Sequence, residues 1–144
     1  MIKKIIKIEH DLSYDDEVLL NWFDMQKPNL SFVTEKNISV VSKLPINHLH
    51  ENDILICDDG YAIKVKKQQD EMYVFCFEDS LTFAKYAYEI GNRHQPIYIE
   101  NLKITVLNDV SLNELVSEIC KAENVKSEKI LGYFKSNAKA HHTH

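Results

Sequence analysis

The side chains with the plainest chemistry in this 144-residue chain are its seven histidines. Three of them, His141, His142 and His144, stand together in the closing His-His-Thr-His. Neutral imidazole is the commonest side-chain donor for Ni2+, Cu2+ and Zn2+, so a short tract of this kind is a compositional signal for metal binding. The interrupting Thr143 is unlike a purification tag. A fourth histidine, His94, follows the stop of an expected helix in Gly91-Asn92-Arg93-His94. There the unpaired carbonyls of the last turn favour a nearby cation, so His94 taken alone reads as a capping residue before it reads as a ligand. His48 and His50, in Asn47-His48-Leu49-His50, fit a polar loop after Pro45.

Other chemistries find little support. The three cysteines, Cys57, Cys76 and Cys120, are far apart and form no CxxC, which excludes a zinc knuckle or dithiol redox centre. Set among apolar neighbours, they are expected to be small buried hydrophobes. The three glycines are isolated, so no phosphate-cradling loop exists. The acidic pairs Asp15-Asp16, Asp58-Asp59 and Glu78-Asp79 each fit a turn or a helix start. No nucleophile, base and orienting group converge, and the chain is expected not to be an enzyme.

Composition narrows the class further. With 44% hydrophobic and 27% charged residues, the chain is that of a folded globular protein. A net charge of −5 and a pI near 5.8 leave no strongly basic face for nucleic acid. No apolar run approaches the ~18 residues of a membrane helix. The start, MIKKIIKIEH, lacks the apolar core and small-residue cleavage site of an export signal, so the expected address is cytoplasmic.

The elements that must position these residues divide the chain. Residues 1–71 read as a small β domain. Strand-like runs fall at Ile2–Ile8, Glu17–Phe23, Leu30–Val33, Ile38–Val41, Ile54–Cys57 and Tyr61–Val65, and Asp59-Gly60 between the last two signals a hairpin. Gln68–Glu71 is a plausible polar hinge. Met72–Phe77 reads as a buried strand. A helix capped by Asp79 or Ser80 is expected to run to Ile90, with Gly91 as a left-handed stop and Leu81, Ala84 and Tyr88 on one face beside Phe83, Ala87 and Ile90. Two strands, Ile97–Ile99 and Ile104–Leu107, precede a capping box in which Ser111 accepts from the amide of Glu114. Leu112, Leu115, Val116, Ile119 and Cys120 then follow the pattern of a core-facing helix, and Glu128–Phe134 reads as a last strand. The order over residues 72–134 is therefore βαββαβ, the ferredoxin-like arrangement, within an α+β chain. Residues 135–144 read as a flexible histidine-containing tail, polar and small from Asn137 onward.

The stretch Tyr88-Glu89-Ile90-Gly91-Asn92-Arg93-His94-Gln95-Pro96 resembles the Gly-Asn-Arg-His signature of the UreE family, the urease accessory proteins that act as nickel metallochaperones. The likeness runs through the preceding helix, both strands and the capped helix to the histidine-bearing end. In the first half it rests mainly on Glu51-Asn52-Asp53-Ile54-Leu55. The resemblance implies a first domain like a peptide-binding β module and a second that binds Ni2+ and dimerises. It makes His94 the main ligand, with the copy from a second subunit completing a site on the two-fold axis. Asp109 is the further internal position it suggests, although the flanking Asn108 and Val110 stand where some family members carry histidines. The tail residues His141, His142 and His144 are then the stronger extra donors. Partners implied are the accessory GTPase and the urease activation complex.

Elementary coordination chemistry agrees with a symmetric site. One imidazole cannot hold a divalent ion against water, whereas a two-fold axis turns one His94 into two donors. Tethered tails add more at high effective concentration. Binding requires deprotonated imidazoles, and such donors also take Zn2+ and hold Cu2+ more tightly, so selectivity must come from partners and supply. Two other readings remain at this point: a metal-independent interaction module centred on the β domain, and an acylphosphatase-like hydrolase using Asn92 and Arg93.

Overall fold

The computed structural model describes residues 1–42 and 49–138. The chain is α+β and divides into two compact units, Met1–Gln68 and the remainder from Gln69.

The first unit is a six-stranded mixed sheet of β1 (Lys3–Glu9), β2 (Asp16–Leu20), β3 (Ser31–Val33), β4 (Ser39–Ser42), β5 (Ile54–Cys57) and β6 (Ala62–Lys67), ordered β2-β6-β5-β1-β4-β3. Alternation builds its core: Ile5, Val18, Leu20, Val40, Leu55, Ile63 and Val65 are all buried in one cluster. Between β5 and β6 the expected Asp-Gly turn is present, with Gly60 at φ +87° and its N–H on Cys57 O at 2.9 Å. Beside it Lys3 pairs with Asp59. The run expected as one strand over Glu17–Phe23 breaks at Asn21. That side chain accepts from Asp24 N–H at 2.8 Å and starts a five-residue helix, α1 (Trp22–Gln26), which buries Met25.

A polar cluster fastens this sheet. The buried carboxylate of Asp16 accepts from Glu17 N–H at 2.8 Å, Tyr61 O–H at 2.9 Å and Lys36 N–H at 3.3 Å. Burial alone would raise the Asp16 carboxyl, but hydrogen bonds from Thr34, Glu17, Tyr61 and Lys36 outweigh it and hold the group below its ordinary 3.8. The Tyr61 phenol is pushed up to about 12, by burial first and by Asp16 second. The depressed carboxylate therefore stabilises fully above its ordinary value and loses that contribution as pH falls through the folded one. The raised phenol stabilises fully below 10 and loses it as pH rises toward 12. Asp16→Asn should cost ~1–3 kcal/mol at neutral pH by disturbing buried donors. It should also flatten the loss of stability below about pH 4. The single tryptophan, Trp22, lies in this unit, so urea unfolding followed by its fluorescence measures both effects.

The second unit follows the order β7 (Asp70–Phe77), α2 (Ser80–Asn92), β8 (Ile97–Glu100), β9 (Lys103–Leu107), α3 (Asn113–Lys121) and β10 (Val125–Gly132). Its four strands lie in the order β10-β7-β9-β8 and are antiparallel throughout. Phe75 and Phe77 of β7, Ile104 and Val106 of β9, Tyr86 and Ile90 of α2, and Leu115 and Ile119 of α3 form one buried cluster, so both helices cover the same sheet face.

Several expectations are corrected here. Cys57 is buried, and burial pushes its thiol up to about 11, but Cys76 and Cys120 are exposed. Cys76 sits between the core-facing Phe75 and Phe77 and so must point to the other sheet face, while Cys120 turns past Ile119 on α3. The Ser111–Glu114 capping box does not form. Asp109 is the cap instead: its Oδ1 takes Ser111 N–H at 2.9 Å and Ser111 O–H at 2.7 Å, closing a 3-10 turn over Val110–Leu112 from which α3 continues. A carboxylate two residues ahead outcompetes a hydroxyl, because it accepts from amide and hydroxyl together.

Candidate metal centre

The placement of His94 begins at the other end of α2. Asp79 accepts from Thr82 N–H at 2.8 Å and is held by Asn124 Nδ2 at 2.8 Å, which pins the start of the helix. Those hydrogen bonds keep the Asp79 carboxyl below its ordinary value despite some burial. Along the inner face, Phe83 and Tyr86 pack on Phe77 with ring centroids 5.6 and 6.2 Å apart, and Ile90 is buried. The helix is thus fixed in length and rotation, and its far end delivers His94.

That end differs from the expected one. Gly91 is not the left-handed stop; it lies inside α2, which runs on to Asn92. The carbonyls of Ile90 and Gly91 are taken by Arg93 N–H and His94 N–H, each at 3.0 Å. The left-handed residue is His94 itself, at φ +56°. Histidine is among the few side chains enriched in that region. Arg93 ties the turn to the next loop through Nη1 on Ser111 O at 3.2 Å. His94 is exposed. Directly after it, Gln95 Oε1 is buried, with no donor among the described residues.

The burial along α2 decides between two faces that the periodicity leaves open. Leu81, Ala84 and Tyr88 share a helical stripe, as expected, but the stripe is exposed: Leu81 is 80% and Tyr88 68% accessible. The core is filled by Phe83, Tyr86, Ala87 and Ile90 on the opposite side. A helix apolar on both faces has two hydrophobic stripes, and this chain buries only one.

The other candidate ligands are dispersed. Asp109 is half-buried, and its Oδ1 is engaged by Ser111. His141, His142 and His144 lie outside the described residues, as does His48. His10 and His50 flank the buried Asp53, with Nδ1 3.2 and 3.9 Å from its two oxygens. Asp53 also takes His50 N–H at 2.8 Å, the arrangement of a turn brace. His10 escapes sequence reasoning because it is brought there by the β1–β5 register, Glu9 opposite Ile54. Among the described residues, no three His, Cys, Asp or Glu side chains gather to hold an ion. A metal ion at His94 would need donors from elsewhere.

Residues 69–144 match the family model described as the UreE urease accessory protein, C-terminal domain. The chain belongs to the UreE family. Over all 144 residues it is 55% identical to the urease accessory protein UreE of Aliarcobacter butzleri (strain RM4018), covering 97% of that protein. It is 31% identical over 127 residues to UreE of Halalkalibacterium halodurans, covering 87% of this chain and 83% of that one. To UreE of Lysinibacillus sphaericus (strain C3-41) it is 30% identical over 112 residues, 77% of this chain and 76% of the other. UreE proteins are accessory proteins, and this chain is accordingly not an enzyme. Among the described residues no helix is long and apolar enough to cross a membrane.

Proposed function

We propose that this UreE-family protein is a homodimeric nickel metallochaperone. Two copies of His94 share one Ni2+ on the two-fold axis, and His141, His142 and His144 supply the remaining imidazoles. The ion is handed on in the cytoplasm for assembly of the urease nickel centre, with the accessory GTPase and the urease activation complex as partners. The second unit, βαββαβ in order with strands β10-β7-β9-β8, is ferredoxin-like on this reading, and the first is a peptide-binding β module.

The observation that carries the proposal is a single exposed imidazole at the end of an exposed apolar stripe. The row Leu81, Ala84, Tyr88 runs along α2 to the turn that bears His94. Burying that row against its own copy is the economical way to remove it from water, and an isologous contact repeats every residue it contains. The same contact doubles His94 into two nitrogen donors. A divalent ion of this group takes four to six donors, and the tails close the sphere. Asp109 contributes nothing on this reading, because it is needed for the turn before α3.

Such a site is shallow, built of neutral donors and open to exchange, which suits cargo that must leave again. The donor set alone favours Cu2+ over Ni2+ and accepts Zn2+. Sedimentation combined with nickel calorimetry tests the proposal directly. A dimer that takes one tightly held Ni2+ per two chains is the expected result. One tight ion per chain would overturn the shared site, and no binding at all would favour a metal-independent interaction module instead.

A further inference from the structure

The turn that carries His94 is anchored on both sides. Upstream, Ile90 is buried in the core of the second unit. Downstream, β8 opens on the buried Ile97, and its outer edge is already covered. The segment expected to be free from Asn137 onward is in part fastened there. Asn137 N–H donates to Ile97 O at 3.2 Å, Ser136 O–H reaches the same oxygen at 3.0 Å, and Ala138 pairs with Ile97 in an antiparallel bridge. The Asn137 side chain does the rest: its Oδ1 accepts from Ile99 N–H at 2.8 Å and its Nδ2 donates to Ile99 O at 2.7 Å.

Between these anchors lies the span from Gly91 to Pro96, and from within it Arg93 reaches a neighbouring element. Its Nη1 donates to Ser111 O at 3.2 Å. Ser111 is itself fixed, because Asp109 Oδ1 takes both its N–H and its O–H. Leu112 N–H closes the same turn on Asp109 O at 3.0 Å, and the Leu112 side chain is buried in the core. The carbonyl offered to Arg93 therefore has a set position, and Arg93 immediately precedes the left-handed His94.

We infer that Arg93 and Asp109 are positioning residues for the nickel site. The turn closed by Asp109 presents the Ser111 carbonyl, Arg93 takes it, and the chain at His94 is held in the form that presents the imidazole. The inference rests on the nickel-site reading above. Asp109, no donor on that reading, thereby bears on affinity through the turn it closes. The sign of the effect is diagnostic. Arg93 is a cation beside a site for a dication, so Coulomb repulsion alone predicts tighter binding once it is removed. Positioning predicts weaker binding. Losing a hydrogen bond of this kind shifts the ordering of the turn about fivefold in each chain. An ion held by two chains feels the shift twice, so affinity should fall about 5- to 25-fold.

The test titrates five full-length proteins with Ni2+ alone by calorimetry: wild type, Arg93→Ala, Asp109→Ala, the double alanine variant and Asp109→Asn. Each single alanine variant should lose about 5- to 25-fold, and the double variant no more than either, since both remove one link. Asp109→Asn keeps an acceptor at Oδ1 and should recover most of the loss. The absorption spectrum of nickel-saturated Asp109→Ala should match that of wild type. In the metal-free proteins, amide exchange at His94, whose N–H is bonded to Gly91 O, should quicken in both single alanine variants while the β9 amides keep their wild-type rates. Wild-type or tighter affinity in Arg93→Ala overturns the inference and leaves the nickel reading standing. Additive losses do the same, as does a changed spectrum in Asp109→Ala, which would make Asp109 a donor. Unaltered exchange at His94 in both variants also sinks it. A wild-type protein without a shared Ni2+ overturns the nickel reading and the inference together.

Discussion

Replacing His94 with alanine is expected to abolish the tight nickel site, lowering affinity at least about 100-fold, or ~2.7 kcal/mol. The effect is large because, on the proposed function, one substitution removes two donors from the same ion. The turn adds a complication: His94 sits at φ +56°, where alanine is strained and glycine is not. His94→Gly is therefore the companion variant. If the imidazole is the ligand, both variants lose nickel to the same degree, although the alanine chain melts at a lower temperature than the glycine chain. If binding tracks the melting temperature instead, the turn's geometry rather than its side chain holds the site. Calorimetry with Ni2+ and thermal unfolding of the metal-free proteins separate the two outcomes, and unchanged affinity in both would remove His94 from the site.

The second large effect is expected at Tyr88. It is exposed on the outer stripe of α2 and takes no part in the buried cluster under the helix. Tyr88→Glu should leave each chain folded, because the core contacts of Phe83, Tyr86 and Ile90 are untouched. It should also weaken the dimer roughly 10^3-fold, since an aromatic anchor is worth about 2 kcal/mol and a two-fold contact loses it twice. Sedimentation velocity across a concentration series measures this. Loss of the shared nickel site should accompany loss of the dimer, with far-ultraviolet circular dichroism unchanged. A Tyr88→Glu protein that still sediments as a wild-type dimer would place the interface elsewhere.

Much of the architecture was legible because local signals agreed with global ones. Ile54–Cys57 was bounded correctly beside the Asp-Gly turn, and the strand–helix succession of the second unit followed from periodicity and caps. The sequence left a choice open, or pointed the wrong way, where two signals competed. Both stripes of α2 are apolar, and nothing in a helical period says which one meets the sheet; the aromatic pair Phe83 and Tyr86, stacked on Phe77, decides it. Asp109 and Ser111 are both good caps, and the carboxylate prevailed. Helix α1 is too short, at five residues, to show any period. The histidine signature directed attention to His94, whereas its left-handed backbone and the β8 anchor depend on contacts between residues some forty positions apart, such as Ile99 with Asn137.

The covering of β8 bears on solubility as well. If it carries divalent ions on exposed imidazoles, as proposed, the protein risks metal-driven crosslinking into larger particles, and a bare sheet margin would convert such encounters into growing β-filaments. With Ile97 and Ile99 already occupied by residues of the same chain, accidental associations at that margin find no row of backbone groups to extend. Clusters formed under excess metal should accordingly be amorphous and dissolve on chelation, with no fibrous product left behind.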